Sequence, residues 1–332
     1  MIFGSVPIRS ATGAILAHSM PSSTGRVPKG TVLTPAHVED LEAAGHHTLV
    51  VARLETGDTE ENAAASALAD AIVVDEKEQG LRIAPAGAGR VNLYATGPGV
   101  VQVDASAVAA LNAVDPMITL ATVPQFHRVD AGTMVATIKI ISYAVPQTHL
   151  DRACAVASSA LSVARPTVKT ATLIETRVGA DTPPGKGRAA MTGRLDRLEI
   201  TLDDRCVVAH ETDALAGAIR KAQGEMILIL TASATSDICD VAPEALRQAG
   251  GTVTAYGMPV DPGNLLFFGT LSGRPVIGLP GCARSPALNG ADWVLERLAC
   301  GIAMVQGDIS AMGVGGLLKE IPTRPRPRST GP

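Results

Sequence analysis

Aromatic side chains are nearly missing from this 332-residue chain, at 2%. Its interiors must therefore be filled by Ala, Val, Leu and Ile, and a base-stacking surface for single-stranded nucleic acid is not expected. Positive charge is not in excess either: the formal charge is -4 at pH 7, opposite to the basic footprint of a general nucleic-acid binder. Cysteines are few and scattered. Cys154, Cys206, Cys239, Cys282 and Cys300 form no C-x-x-C pair, and an odd count makes a poor disulfide framework. Reduced, mostly buried thiols in a cytoplasmic protein are the expectation. The opening MIFGSVPIRS lacks the apolar stretch of a signal peptide. The apolar run MILIL, Met226 to Leu230, is far too short to cross a bilayer, so no membrane partner is expected.

What is present is a composition that builds cores, with 46% hydrophobic and 18% charged residues. The length predicts two or three domains. Residues 1–79 read as a small α/β domain: Thr34-Pro35 starts a helix that Gly45 ends, LVVA at Leu49 to Ala52 is a short buried strand, and Asp58 with Glu61 makes a capping-box pattern before an Ala-rich helix to about Ile72. Residues 80–150 read as β-rich, with GVVQVD, MITLATV and TMVATIKII separated by turn residues and one short helix around Ser106 to Ala113.

From about 166 to 321 short apolar strands alternate with amphipathic helices. The strands are TVKTATLIE, MILIL, TVTAY and PVIGL. Leu215, Ala218, Ile219 and Ala222 share one helical face behind a cap at Thr212, and Leu288, Ala291, Leu295 and Leu298 share another. This predicts an α/β, three-layer domain with a mostly parallel sheet, whose ligands bind beyond the carboxyl ends of the strands. Residues 322–332, Pro- and Arg-rich, read as an extended tail or linker.

The chemistry-bearing residues follow strands directly. After MILIL comes TASATSDICD, where Thr231, Ser233 and Thr235 offer hydroxyls and Asp237 and Asp240 offer carboxylates ahead of a helix N-terminus. Such a loop suits a phosphate with a divalent cation held against it, or Asp240 simply caps the helix. After TVTAY comes GMPVDPGN, with Pro262, Gly263 and Asn264. After PVIGL comes PGCARS, with Pro280, Gly281, Cys282 and Ser285. Each Pro-Gly pair gives a tight turn that lets a ligand approach backbone. Cys282, at a helix start, is either an activated thiol or a small filler. Lys186, within PPGKG, is either a phosphate contact or an exposed loop lysine, and His46-His47 lacks a third ligand at metal spacing.

These strings, in this order and over about 150 residues, resemble the molybdopterin-binding domain shared by molybdenum insertases and molybdopterin adenylyltransferases. The family's T-G-G-x-S-x-G-x-x-D, P-G-K and G-L-P-G-N-P-x-S read here as TASATSDICD, Pro262-Gly263-Asn264 and Gly278-Leu279-Pro280-Gly281-Cys282-Ala283-Arg284-Ser285. GAILAHS and KGTVL near the start resemble the amino-terminal part of long members. The two family glycines are Ala232 and Ser233, the lysine is Asn264, the asparagine is Cys282, and an acidic position falls at His210 beside Glu211. Arg177 and Arg284 are the cations that could replace the lysine.

The resemblance implies a role in molybdenum-cofactor biosynthesis. Molybdopterin would be bound as ligand or substrate, with Mg²⁺ at Asp240 assisted by Asp237 and Glu211, and with molybdate as a possible second substrate. The pterin would contact Thr231, Ser233, Thr235, Pro262, Gly263, Asn264, Gly278, Pro280, Gly281, Cys282 and Ser285. The missing lysine and glycines favour a second reading, a binding module that presents the pterin to a molybdoenzyme or a tethered cytidylyltransferase domain. A related pterin or nucleotide hydrolase or sensor is a third. The family often forms homo-oligomers. All three readings require Thr231, Gly263 and Gly281 to border one hollow.

Overall fold

The computed structural model describes residues 1–261 and 263–318. The chain forms two compact units: Met1–Gly97 with Val101–Val163, and Pro98–Val100 with the chain from Ala164 onward. Among the described residues no helix is long and apolar enough to cross a membrane.

The first unit runs β1 (Ile2–Pro7), β2 (Ile15–Leu16), β3 (Met20–Ser22), β4 (Gly25–Val27), α1 (Pro35–Ala43), β5 (Thr48–Arg53), β6 (Asp58–Glu60), α2 (Glu61–Ile72), α3 (Glu76–Gln79), β7 (Leu81–Ile83) and β8 (Arg90–Ala95). It continues through β9 (Gly99–Val103), α4 (Ala105–Asn112), β10 (Ile118–Thr122), β11 (Arg128–Val129), β12 (Met134–Ile140), β13 (Ala144–Pro146), α5 (Gln147–Ala157) and β14 (Leu161–Ala164). Sheet β1-β5-β2 and α1 enclose a small core that includes Leu16, Leu33, Leu41 and Leu49. Thr34 caps α1, accepting from His37 N at 3.3 Å, and the His37 ring accepts from Thr34 N in return.

A second core gathers around sheet β10-β12-β8-β7, with Leu93, Ile118 and Ile138. Helix α2, from the segment read as amino-terminal, contributes Ala64, Leu68 and Ile72 to it. The expected cap at Asp58 is not formed. Strand β6 pairs with β13 and keeps the chain extended through Asp58, whose carboxylate lies 2.7 Å from the N-terminal ammonium. Glu60 caps α2 instead, its Oε2 accepting from Asn62 N at 2.9 Å and Ala63 N at 3.2 Å.

The second unit is α/β. It contains β15 (Thr170–Arg177), α6 (Lys186–Asp196), β16 (Thr201–Leu202), β17 (Cys206–Ala209), α7 (Thr212–Lys221), β18 (Met226–Leu230), α8 (Val241–Gln248), β19 (Thr252–Met258), β20 (Asn264–Leu271), β21 (Arg274–Leu279), α9 (Gly290–Ala299) and α10 (Gln306–Ala311). Its seven strands form one mixed sheet in the order β16-β15-β18-β21-β20-β19, with β17 also on β15. MILIL shows why the sheet is covered on both faces. Met226, Leu228 and Leu230 enter one core with Met191, Leu195 and Leu295, while Ile227 and Ile229 enter the other with Leu215, Ile219 and Leu246. Helix α7 begins at Thr212 itself, with Glu211 in the cap position and no side-chain cap bond, so Thr212 is not the cap.

The sequence pattern names four of the seven strands and misses β16, β17 and β20, of which β20 bears on the site. Strand β20, NLLFFGTL, runs antiparallel to both β21 and β19. It is joined to β21 by Ser272-Gly273, at φ 51° and 79°, the two-residue turn whose central residues both need positive φ. Strands β15, β18 and β21 are parallel, and β20 reverses direction beside them. Its first residue, Asn264, is thereby returned to the edge where β18 and β21 end.

Beside that strand, Gly278 of β21 has no room for a side chain: an added Cβ would fall 1.8 Å from Cε1 of the buried Phe267. We expect Gly278→Ala to destabilise the protein by about 1–3 kcal/mol through overpacking, read as a lower urea midpoint with an unchanged denaturant slope.

Candidate functional site

Three turns meet at the carboxyl-end edge of this sheet around a hollow of about 340 Å³. Its walls are Thr231, Ala232, Ser233, Ala234 and Thr235 after β18, then Asp261, Gly263, Asn264 and Leu265 at the β19–β20 connection, and then Leu279, Pro280, Gly281, Cys282 and Arg284 after β21. Thr231, Gly263 and Gly281 therefore border one cavity. Pro262 lies outside the described residues.

The first wall is held from behind. Ala232 N donates to Thr176 Oγ1 at 2.7 Å, and Thr176 Oγ1 lies 3.0 Å from His210 Nδ1. Thr176 and His210 share one hydrogen bond in which either group can donate. Arg284 donates to the Thr231 carbonyl, and Tyr256 donates to the Thr235 carbonyl at 2.8 Å. Thr231 and Thr235 are buried.

The carboxylates of this loop are occupied. Asp240 Oδ1 accepts from Val241 N at 2.7 Å and Oδ2 accepts from Ser236 N at 2.8 Å. Asp237 Oδ1 accepts from Cys239 N at 2.7 Å. Asp240 is thus the cap of α8. Neither carboxylate lines the hollow, and neither does Glu211. Among the described residues no three His, Cys, Asp or Glu are grouped to hold a metal ion.

The second wall contains a donor without an acceptor. Asn264 is 6% exposed. Its Oδ1 accepts from Leu266 N at 3.2 Å, while its buried Nδ2 meets no acceptor among the described residues. A buried amide left unmatched costs free energy unless something else satisfies it. Asp261, at φ 44°, and Gly263, at φ 85°, shape the turn before it. Asp261 Oδ1 accepts from Leu318 N at 3.3 Å.

The third wall rests on a buried arginine. Arg194 of α6 is 4% exposed and its Nε donates to Asp292 Oδ1 at 2.5 Å. Its remaining donors reach the carbonyls of Ala283 at 3.0 Å, Ser285 at 2.8 Å and Ala287 at 3.1 Å. The guanidinium fork thereby fixes the turn that carries Gly281 and Cys282. Cys282 is desolvated by its surroundings, which pushes the thiol above its ordinary value. That direction favours the small-filler alternative over the activated thiol. Gly278 lies inside β21 and is needed for packing against Phe267. Ser285 lies in the wall of a neighbouring hollow, its Oγ accepting from Ala287 N at 3.2 Å.

Thr231, Ser233, Thr235, Gly263, Asn264, Pro280, Gly281 and Cys282 are thus brought together, and Asp240, Asp237, Glu211, Gly278 and Ser285 are not. Arg284 lines the hollow, whereas Arg177 donates to Gly179 O. Sequence reasoning missed Arg194, Asp292 and Thr176. Asn289 followed by Asp292 was a legible helix-start signal, since the Asp292 carboxylate also accepts from Asn289 N at 2.8 Å.

Residues 5–53 match the family model described as "Domain of unknown function (DUF8806)". That match covers the second half of β1 and then β2, β3, β4, α1 and β5 in the first unit, and contains none of the residues that line the hollow. No curated protein matches the chain.

Two stability effects follow. Arg194→Met leaves Asp292 buried without its cation and is expected to cost about 3–5 kcal/mol, of which the double change with Asp292→Leu restores a part. Asp240→Ala removes a cap and is expected to cost about 1 kcal/mol. Both are read by urea denaturation.

Proposed function

We propose that the second unit binds a molybdopterin-type pterin in the hollow, within the cytoplasmic biosynthesis of molybdenum cofactor. The observation that carries this reading is a cavity bordered by three strand-end turns whose lining includes Asn264, a residue whose Nδ2 meets no acceptor among the described residues. A pterin edge offers ring nitrogens and a carbonyl, the acceptors that such an amide lacks. The hollow is of a size suited to a small ring system, and the Thr231 to Thr235 loop and Gly281 add short hydroxyls and close backbone around it.

The departures of the loops from the family pattern, Ala232 and Ser233 in place of glycines and Asn264 in place of a lysine, favour the presenting role over magnesium-assisted transfer. Asp240 caps α8 through Val241 N and accepts from Ser236 N. The protein would hold the pterin and deliver it to a molybdoenzyme or a cytidylyltransferase domain.

The test is anaerobic titration of the full chain with molybdopterin. Asn264→Asp keeps the acceptor for Leu266 N but has no amide hydrogens, and we expect it to bind roughly tenfold more weakly. Asp240→Ala is expected to bind like wild type despite its lower stability. Wild type that does not bind molybdopterin would reject the reading. Stoichiometric molybdate insertion by the isolated chain would replace the presenting role with an enzymatic one.

A further inference from the structure

The lining of the hollow carries one guanidinium, Arg284, and one carboxylate, Asp261. The guanidinium is engaged, donating to the Thr231 carbonyl. Asp261 is bonded on one side: Oδ1 accepts from Leu318 N at 3.3 Å, and Oδ2 meets no donor among the described residues. Its charge is felt at the third wall, where burial first, and the negative charge of Asp261 as well, push the Cys282 thiol upward.

The backbone that presents this carboxylate is strained. Asp261 has φ 44°, in the left-handed region that residues other than glycine rarely occupy. Gly263 follows at φ 85°, and the same turn places Asn264 in the lining three positions on. Asn264 is 6% exposed and its Oδ1 is held by Leu266 N. The amide therefore keeps Nδ2 as its free end, a buried donor that meets no acceptor among the described residues. One turn thus supplies a carboxylate oxygen without a donor and an amide nitrogen without an acceptor.

These two needs describe a ring edge. A carboxylate pairs best with two adjacent N–H groups, and an amide N–H with a carbonyl. The 2-amino-4-oxo pyrimidine face offers both in sequence, since its 2-amino group and N3–H stand next to the 4-carbonyl. A 2-oxo ring of the same size sets a lone pair against the carboxylate instead, which repels.

We infer that Asp261 is the specificity-determining residue of the hollow, selecting rings with a 2-amino-4-oxo face over their 2-oxo counterparts. This rests on the pterin reading of the hollow and adds what the lining rejects. Asp261 takes the 2-amino and N3 hydrogens, and Asn264 Nδ2 donates to the 4-carbonyl. Leu318 N, bonded to Oδ1, holds the carboxylate in place.

The experiment is calorimetric titration of the full chain with 6-hydroxymethylpterin and 6-hydroxymethyllumazine, which differ in the 2-amino against the 2-oxo group, and with molybdopterin. Wild type is compared with Asp261→Asn. Asparagine keeps an oxygen for Leu318 N and tolerates the left-handed backbone, so the variant is expected to fold, which its urea midpoint checks. We expect wild type to bind the pterin at least roughly tenfold more tightly than the lumazine. Asp261→Asn should lose most of that preference, chiefly by weaker binding of the pterin. Equal binding of the two rings by wild type overturns the inference and leaves the pterin reading intact. A preference that survives Asp261→Asn undiminished also overturns it, because a residue that merely holds Leu318 would behave that way. Molybdopterin bound while neither ring binds removes the edge reading alone. Binding of none of the three overturns the pterin reading and the inference together.

Discussion

The site depends on one buried ion pair. Arg194 reaches across from α6 to Asp292 on α9, and its remaining donors tie down three carbonyls of the turn that follows β21. A backbone that presents Gly281 and Cys282 to the hollow cannot satisfy its inward carbonyls with a sheet ladder, because the strand has ended. A planar, fully charged guanidinium supplies several donors in a fixed fork at that place. Asp292 in turn accepts from Asn289 N and so starts α9. One pair thus sets the turn, the helix behind it and one wall of the hollow.

The sequence was most informative where burial enforces periodicity. MILIL reads as a strand because both its faces are covered, and Thr34-Pro35 reads as a helix start because the local bonds need no tertiary partner. Strand β20 was obscure: its start sits inside what reads as a Pro-Gly loop, and the Ser272-Gly273 turn that would have announced it is weaker than Asn-Gly. Asp58 illustrates the same limit in reverse. Its spacing to Glu61 satisfies a capping rule, but pairing of β6 with β13 delays the helix and passes the role to Glu60.

The site shows a parallel split. Spacing from strand ends located Thr231, Gly263, Asn264 and Gly281, because the edge of a sheet gathers whatever follows its strands. It could not say what each side chain does once there. Asp240 and Asp237 turned out to bond backbone, Gly278 to make room for an aromatic ring, and Cys282 to have its thiol pushed upward by desolvation. The residues left unread, Arg194 and Thr176, act from beneath the surface across sequence separations of 98 and 56 residues. No local pattern records such pairings.

Phe267 and Gly278 face each other on neighbouring strands, the ring filling the volume that a side chain would need. Two positions in the sheet are therefore locked to each other and to one shape. Any reshaping of the hollow has to work from its lining, at Ser233, Asn264 or Cys282, where a change of size or polarity alters the cavity without lifting one strand from the next. The scaffold would tolerate a change of lining more readily than a change in the packing of β20 on β21.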